Sequence, residues 1–283
     1  MDKKQRAKIF NETIKMVENG KYKVNDKTIL LPNPKPMMDG TKFYSKKIEL
    51  NHSNLPKYDT VIKVVNDDCI YVAKEMISRG LKPAMLNMAS FSTPGGGVVN
   101  GSAAQEESIF RRTNIFLSLY QFHNIGENYG VPQAEERYPL NYNFGVIYTP
   151  NVTVFRMSEK DDCKPLESTF SVDVVSCAAI KKPLVIKGII APWVKDTLMS
   201  KIRQIFDASI TNGNDSLVLG ACGCGAYGTP PNQMAELFKK VIENEKYKNA
   251  FKEIIFAIIE DKNAYREHNP EGNLKPFMEV FNE

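Results

Sequence analysis

Residues 85–107 constrain the fold and the chemistry of this chain more than any other stretch. The mostly apolar residues 85–89 are typical of a buried strand, and the turn-favouring residues that follow, up to Pro94, end it. Three consecutive glycines come next, Gly95, Gly96 and Gly97. Because a glycine run loses much conformational entropy when it becomes ordered, we expect its backbone to lie close against a ligand.

A helix is predicted after the glycines, since apolar residues recur at helical spacing over residues 109–120. Ser102 and Gln105 have the spacing of a capping box, which predicts that Glu106 and Glu107 lie in the first turns of this helix. A glycine-rich surface turn, or acidic residues that suit a helix N-terminus, would explain either half alone. The coincidence of a strand, glycines, an amide and two carboxylates favours a functional site.

The composition is that of an ordinary globular protein, because 42% of the 283 residues are hydrophobic and 25% are charged. A net charge of +4 is too small for this length to argue by itself for a nucleic-acid partner. No apolar segment is long enough to cross a bilayer, and residues 1–6 lead into an amphipathic pattern rather than a signal peptide. We therefore expect a cytoplasmic protein that does not bind membranes.

The cysteines are odd in number and lack the spacing of a disulfide framework. Cys222 and Cys224 form a C-x-C pair, without the two-residue gap that is usual in zinc sites. Reduced, buried thiols are the expected state of all five, which are Cys69, Cys163, Cys177, Cys222 and Cys224. Nothing in the sequence requires a metal.

Residues 1–55 are predicted to form an appendage that packs on a core made by residues 56–283. A helical pattern over residues 9–17 ends at Asn19 and Gly20. Residues 22–31 are interpreted as a hairpin, and prolines then make an extended connector.

The core is predicted to begin with a strand over residues 60–65, a helix over residues 69–77 and the strand at Met85. This β-α-β unit favours a parallel pair of strands with a right-handed crossover. Residues 121–144 lack periodicity and are interpreted as a long loop or cap. Further strands are predicted over residues 145–148, 152–155, 171–178, 217–219 and 254–259, and further helices over residues 195–211 and 234–242.

A second glycine-rich loop follows the predicted strand at 217–219. Gly223, Gly225 and Gly228 satisfy G-x-G-x-x-G, which is found in Rossmann dinucleotide sites. The match is weak, because Pro230 and Pro231 place the helix start after the motif rather than within it. Its backbone N–H groups still suit an anion, so a diphosphate is a reasonable ligand in either fold.

The glycine triplet, the short spacer and the Gln105-Glu106-Glu107 run resemble the catalytic motif of poly(ADP-ribose) glycohydrolases, and the chain beyond residue 55 resembles the bacterial-type branch of that family. The resemblance implies a macrodomain-like α/β fold, with three α/β/α layers and a mixed central sheet, preceded by the N-terminal helical appendage. It also implies hydrolysis of the ribose–ribose O-glycosidic bond of poly(ADP-ribose), with release of ADP-ribose. A monomer without cofactor is expected, and its partner is the polymer or an ADP-ribosylated protein.

The same resemblance assigns roles to the two glutamates. Glu107 would protonate the leaving oxygen and then activate water, while Glu106 would orient ribose hydroxyls. The helix N-terminus favours the charged form of Glu107, whereas burial and the neighbouring Glu106 favour the protonated form that an acid needs.

The binding residues are also assigned by resemblance. The glycine triplet would lie along the diphosphate and ribose, and the second loop would grip the diphosphate. Tyr227 would pack on the distal ribose. The full set of expected binding residues is Gly95, Gly96, Gly97, Gln105, Asn87, Asp67, Gly223, Gly225, Ala226 and Tyr227.

Three of these residues carry alternatives. Asp67 is expected to accept a hydrogen bond from the adenine amino group, but it also suits a helix cap. Asn87 is suited either to a ribose hydroxyl or to local backbone groups. Tyr227 would otherwise only fill its loop. Thr93 stands where many family members have a second Asn, which leaves the contacts to the terminal ribose open.

Other functions stay open at this stage. A non-catalytic ADP-ribose reader would need the glycine loops but not the glutamate pair, and a hydrolase of mono-ADP-ribosylated macromolecules would share the whole motif. A Rossmann oxidoreductase would have to bind a nicotinamide cofactor. Trp193 and the histidines, which are His52, His123 and His268, show no spacing typical of a triad or a metal site and are expected to be structural or surface residues.

Overall fold

The computed structural model describes residues 1–51, 55–244, 246–260 and 264–281, so His52 lies outside the described residues. The helices are α1 (Lys3–Glu18), α2 (Lys35–Asp39), α3 (Cys69–Ser78), α4 (Gln105–Arg112), α5 (Phe116–Leu119), α6 (Pro192–Thr211), α7 (Pro231–Ile242) and α8 (Leu274–Phe281). The strands are β1 (Lys21–Val24), β2 (Lys27–Leu30), β3 (Lys42–Tyr44), β4 (Val61–Val65), β5 (Pro83–Met88), β6 (Val146–Arg156), β7 (Pro165–Cys177), β8 (Val185–Ile186), β9 (Ile189–Ile190), β10 (Ser216–Leu219) and β11 (Glu253–Ala257).

The central sheet is mixed and has seven strands in the order β3-β6-β7-β5-β10-β11-β4. The strands from β7 to β4 run parallel to one another, whereas β3 and β6 are antiparallel to their neighbours. The predicted mixed sheet is therefore confirmed. β4 and β5 are parallel as expected, but they are not adjacent, because β10 and β11 lie between them.

Two apolar clusters cover the two faces of this sheet and make the three layers. One cluster joins the sheet to α6, α7 and α8. The other joins it to α1, α3, α4 and α5. In the chain, α3 follows β4 and α4 follows β5. The helical layer of the second cluster therefore also supports the first glycine loop, which lies between β5 and α4.

The N-terminal helix packs directly behind the glycine-rich stretch. Phe10 is fully buried and its ring lies 6.4 Å from that of Phe110 in α4. The Thr13 hydroxyl donates a 2.6 Å hydrogen bond to the Arg111 carbonyl. α1 thus supports both α4 and the 3₁₀ turn Val98–Asn100 that precedes it. The division of the chain at residue 55 stays a prediction.

The contact between α1 and this turn should be sensitive to a single methyl group. Gly101 has φ +72°, and a Cβ there would lie 1.8 Å from the Lys3 carbonyl oxygen. We expect Gly101→Ala to destabilise the fold by at least about 2 kcal/mol, because the left-handed backbone disfavours alanine and the helix backbone must move. Denaturant unfolding measures this loss.

Gly130→Ala is the matched control for that prediction. Gly130 has φ +63°, but a Cβ there would meet nothing within 4 Å. Its cost should be the backbone strain alone, about 1 kcal/mol. Equal losses in the two variants would contradict a steric contact between Gly101 and α1.

Local predictions hold for several elements and fail at others. The hairpin β1–β2, the helix α3 and the strands β10 and β11 lie where the patterns place them. The two short strands predicted over 145–148 and 152–155 are wrong, because β6 is one continuous strand. A bulge between Thr149 and Val152 carries the strand past Pro150, and Asn151 takes φ +53°.

The segment 121–144 contains 3₁₀ turns and loops, as expected, and it packs over the first glycine loop through a hydrogen bond from Leu140 N–H to the Phe91 carbonyl, 3.0 Å long. All five cysteines are free and buried, as predicted. Among the described residues, no helix combines the length and the apolar character needed to span a bilayer.

Candidate active site

Both glycine loops lie at one edge of the sheet. β5 and β10 are parallel neighbours, with Ser216 paired to Pro83 and Val218 to Met85. The first loop begins where β5 ends and the second where β10 ends. Because neighbouring parallel strands present their carboxyl ends at the same edge, the topology brings the two loops together.

Glu106 joins the two ends of the first loop. Its Oε2 accepts a 2.8 Å hydrogen bond from the Ser90 N–H, and its Oε1 accepts a 2.9 Å bond from the Gly95 N–H. The side chain is 3% exposed. Both oxygens are occupied by backbone donors, so Glu106 fixes the shape of the loop.

Glu107 is held at one oxygen only. Its Oε1 accepts a 2.9 Å hydrogen bond from the Gly97 N–H. Its Oε2 is buried and has no hydrogen-bond partner among the described residues. An unpaired buried carboxylate oxygen is costly, so its retention indicates that a ligand supplies the partner.

The glycine triplet is explained by these carboxylates. A Cβ at Gly96 would lie 2.7 Å from Glu107 Oε1 and 3.2 Å from Glu106 Oε2. A Cβ at Gly95 would lie 2.6 Å from the Phe110 ring. Gly95 and Gly96 also have φ of +78° and +52°, which other residues rarely adopt. The backbone of Gly95 and Gly96 therefore lies close against Phe110 and the carboxyl groups of Glu106 and Glu107, and its approach to a ligand stays a prediction.

The second loop reaches the first through Tyr227. Burial raises the pKa of Tyr227, and hydrogen bonds with the Phe91 backbone and the Ser90 side chain oppose this rise. Among the described residues, the backbone N–H groups of Gly225, Ala226 and Tyr227 donate no hydrogen bond. Three successive free N–H groups beside a glycine-rich turn form a site suited to an anion.

Comparison with known proteins identifies the family. The model of the microbial-type PARG catalytic domain, where PARG is poly(ADP-ribose) glycohydrolase, matches residues 11–157, which is just over half of the chain. The chain belongs to the microbial-type poly(ADP-ribose) glycohydrolase family. The comparison with curated proteins gave no match.

Solved structures of this family share the fold. The poly(ADP-ribose) glycohydrolase of Thermomonospora curvata bound to the inhibitor ADP-HPD is 26% identical, with a TM-score of 0.80, and the match covers 98% of this chain and 99% of that one. A point mutant of the enzyme of Deinococcus radiodurans, in complex with ADP-ribose, is 23% identical, with a TM-score of 0.68, and the match covers 89% of this chain and 98% of that one. At this lower identity the second likeness supports the fold alone.

One local prediction about this glycohydrolase family motif is corrected by the structure. The capping box of Ser102 and Gln105 is wrong, because α4 has Ala104 at its N-cap and no side chain caps it. Ser102 instead packs on the loop, where a Cβ at Gly97 would lie 2.3 Å from the Ser102 hydroxyl. The serine therefore favours glycine at position 97.

Gln105 ties α4 to the end of β5. Its Oε1 accepts a 2.8 Å hydrogen bond from the Met88 N–H, and its Nε2 donates a 2.6 Å bond to the Leu86 carbonyl. Both ends of the amide are thus used within the protein. We infer that Gln105 positions the two glutamates that follow it.

The remaining expected ligand contacts are distributed around the same edge. Asn87 is fully buried and donates a 3.0 Å hydrogen bond to the Ser176 hydroxyl, and its Oδ1 has no partner among the described residues. Asp67 is exposed just after β4. The helix cap that was the alternative for Asp67 is provided by Asp68, which accepts hydrogen bonds from the Ile70 and Tyr71 N–H groups.

Several residues around Glu106 were missed by the sequence analysis. Ser90 and Phe91 link the glutamate to the second loop, and their only sequence signal was a preference for a turn. Tyr120 and Tyr138 have buried hydroxyls without a hydrogen-bond partner among the described residues. Burial raises the pKa of both tyrosines, and the charge of Glu106 adds to the rise. Tyr138 comes from a region without periodicity, and Tyr120 fitted the apolar face of a predicted helix, so no pattern indicated that either lies near Glu106.

Burial raises the pKa of Glu106 from 4.5 to about 8, although hydrogen bonds from Gly95, Ser90 and Asn87 favour its charged form. The charge of Glu107 contributes to the rise. Between these two values the native state keeps a proton that the unfolded chain has lost. The free energy of unfolding should therefore fall as pH rises from 4.5 to about 8.

The Glu106→Gln variant tests this pH dependence. It cannot titrate, so the difference in unfolding free energy between wild type and variant should change with pH across that window. Denaturant unfolding at several pH values measures the difference, and the other titrating groups, common to both proteins, cancel. Parallel pH profiles of the two proteins would show that Glu106 does not hold the proton.

Proposed function

We propose that this chain hydrolyses the ribose–ribose O-glycosidic bond of poly(ADP-ribose) and releases ADP-ribose. The observation that carries the proposal is Glu107 Oε2, a buried carboxylate oxygen in the first turn of α4 that has no partner among the described residues, while Oε1 is held by the first glycine loop. A reader that only binds ADP-ribose would not need such a group. Membership of the glycohydrolase family supports the same activity.

The binding of substrate follows from the two loops. The N–H groups of Gly225, Ala226 and Tyr227 are suited to the diphosphate, and Gly223 shapes this loop with φ +78°. Tyr227 lies between the loops, where it would pack on the distal ribose. Asp67 is exposed just after the edge strand β4; its Oδ1 accepts a 2.7 Å hydrogen bond from the Asp68 N–H, and its Oδ2 is left for the adenine amino group.

The chemical step uses Glu107 alone. In its acid form, Oε2 gives a proton to the leaving ribose oxygen while the bond from that oxygen to the anomeric carbon breaks, through an oxocarbenium-like transition state. The resulting carboxylate then takes a proton from the water that adds to the anomeric carbon. Glu106 is unsuited to attack that carbon, because both of its oxygens accept backbone hydrogen bonds.

The activity is tested by incubating the protein with poly(ADP-ribose) and measuring free ADP-ribose. A mono-ADP-ribosylated protein is treated in parallel. Release from the polymer is the expected result. Release from the mono-ADP-ribosylated protein alone would contradict the substrate that we propose.

The setting of the enzyme is also part of the proposal. We expect a cytoplasmic monomer that acts on the polymer or on ADP-ribosylated proteins. Five free, buried cysteines support a reducing compartment. Light scattering of the purified protein tests the monomer.

A further inference from the structure

The hairpin β8–β9 and the first turn of α6 expose an unusual number of large apolar side chains. Trp193 is 61% exposed and Ile189 is 59% exposed. The exposed apolar residues of this segment, called here the apolar hairpin, are Leu184, Val185, Ile186, Ile189 and Trp193. A cluster of this kind marks an interaction surface more often than isolated exposed residues do.

The apolar hairpin is continuous with the second glycine loop. Just before it, the Lys182 N–H donates a 2.7 Å hydrogen bond to the Tyr227 carbonyl. Gln233 in the first turn of α7 holds the hairpin itself, since its Nε2 donates to the Gly188 carbonyl at 2.7 Å and its Oε1 accepts from the Ile190 N–H at 2.9 Å. The surface is therefore fixed relative to the proposed diphosphate site.

The distance between the apolar hairpin and the second glycine loop is short. Lys182 precedes Leu184 by two residues, the Leu184 carbonyl accepts a 3.0 Å hydrogen bond from the Ala191 N–H, and Trp193 follows by two residues. At the maximal reach of an extended chain, Trp193 lies within about 20 Å of Lys182.

The charge of this surface is positive. Lys181, Lys182 and Lys187 are exposed, and none of them forms an ion pair among the described residues. The N-terminus of the 20-residue helix α6 adds a partial positive charge, and Asp196 is the acidic residue nearest to it in the chain. Exposed lysines beside an indole are suited to a chain of phosphates and bases.

We propose that the apolar hairpin and its lysines bind the ADP-ribose unit next to the one held in the cleavage site. The Trp193 indole stacks on the adenine, the aliphatic side chains cover its edge, and Lys181 and Lys187 pair with the diphosphate. This inference rests on the proposed function. It makes long polymer a better ligand than free ADP-ribose.

The test compares long poly(ADP-ribose) with ADP-ribose in binding and hydrolysis. Binding is measured in a Glu107→Gln background, which keeps the polymer intact. Trp193→Ala should weaken polymer binding at least about 5-fold, the lower end of the loss of one stacked base, and leave ADP-ribose affinity unchanged. Lys181→Gln with Lys187→Gln should reduce the salt dependence of log affinity by about 1.4.

The N-terminal hairpin β1–β2 offers a matched control, because Leu30 is 71% exposed there and Lys23 and Lys27 are exposed. Leu30→Ala and the double change Lys23→Gln with Lys27→Gln should leave the affinities for polymer and for ADP-ribose unchanged. Unchanged polymer affinity in Trp193→Ala would overturn the inference. An equal loss for polymer and ADP-ribose would also overturn it.

Two further results are informative. One distinguishes a membrane ligand from the polymer, and the other distinguishes a failure of the proposed function from a failure of this inference. Binding of the wild type to anionic phospholipid vesicles, abolished by Trp193→Ala while polymer affinity stays unchanged, would assign the surface to a membrane and overturn the inference. If the wild type releases no ADP-ribose from any polymer, the proposed function fails. The binding comparison in the Glu107→Gln background still decides whether the apolar hairpin contacts the polymer.

Discussion

Replacing Glu107 by glutamine should lower the turnover of poly(ADP-ribose) by about 10²- to 10⁴-fold and leave ADP-ribose binding intact. The glutamine keeps an oxygen that can accept the hydrogen bond from the Gly97 N–H, which is 2.9 Å long with the native Glu107. It loses the acidic proton at Oε2, which is the atom that we assign to the leaving oxygen. The change therefore separates proton transfer from the architecture of the loop.

The measurement is steady-state release of ADP-ribose, accompanied by calorimetric titration with ADP-ribose. Glu18→Gln at the exposed end of α1 is a suitable control for the loss of one negative charge. Wild-type turnover in Glu107→Gln would rule out the acid assignment. Loss of both binding and turnover would instead indicate that Glu107 only supports the loop.

The general position of the site could be predicted because its chemistry is local in sequence. Residues 95–107 bring glycines and carboxylates together without any long-range contact, and the second loop follows its own strand. The parallel direction of β4 and β5 also followed from a single β-α-β unit. The insertion of β10 and β11 between β4 and β5 depends on long-range packing, because these strands come from the other half of the chain. A local pattern could not predict it.

The details that set the chemistry could not be predicted, because they depend on contacts between distant residues. Gln105 fits a capping box in sequence, but the end of β5, beyond the residues paired with β10, offers its amide a donor and an acceptor at once. Glu106 was expected to bind ribose. In the structure Glu106 is buried and accepts hydrogen bonds from the Ser90 and Gly95 N–H groups, so its carboxyl group organises the loop.

This organisation leads to the second large effect, which is expected for Gly96→Ala. The new Cβ would lie 2.7 Å from Glu107 Oε1, closer than real Cβ contacts allow, so the carboxylate or the loop must shift. A displacement of about 1 Å at a catalytic group costs on the order of 10² in rate. We expect turnover to fall about 100-fold, and ADP-ribose affinity to fall as well, because the backbone that lines the site moves with it.

Gly80→Ala isolates this steric effect from backbone strain. Gly80 has φ +80°, so alanine is strained there too, but a Cβ would meet nothing within 4 Å. Turnover and affinity should be unchanged in this control, with only a loss of stability. If Gly96→Ala also retained full turnover and affinity, the glycine would not be required by the Glu107 carboxylate, and the loop would have to hold the acid in some other way.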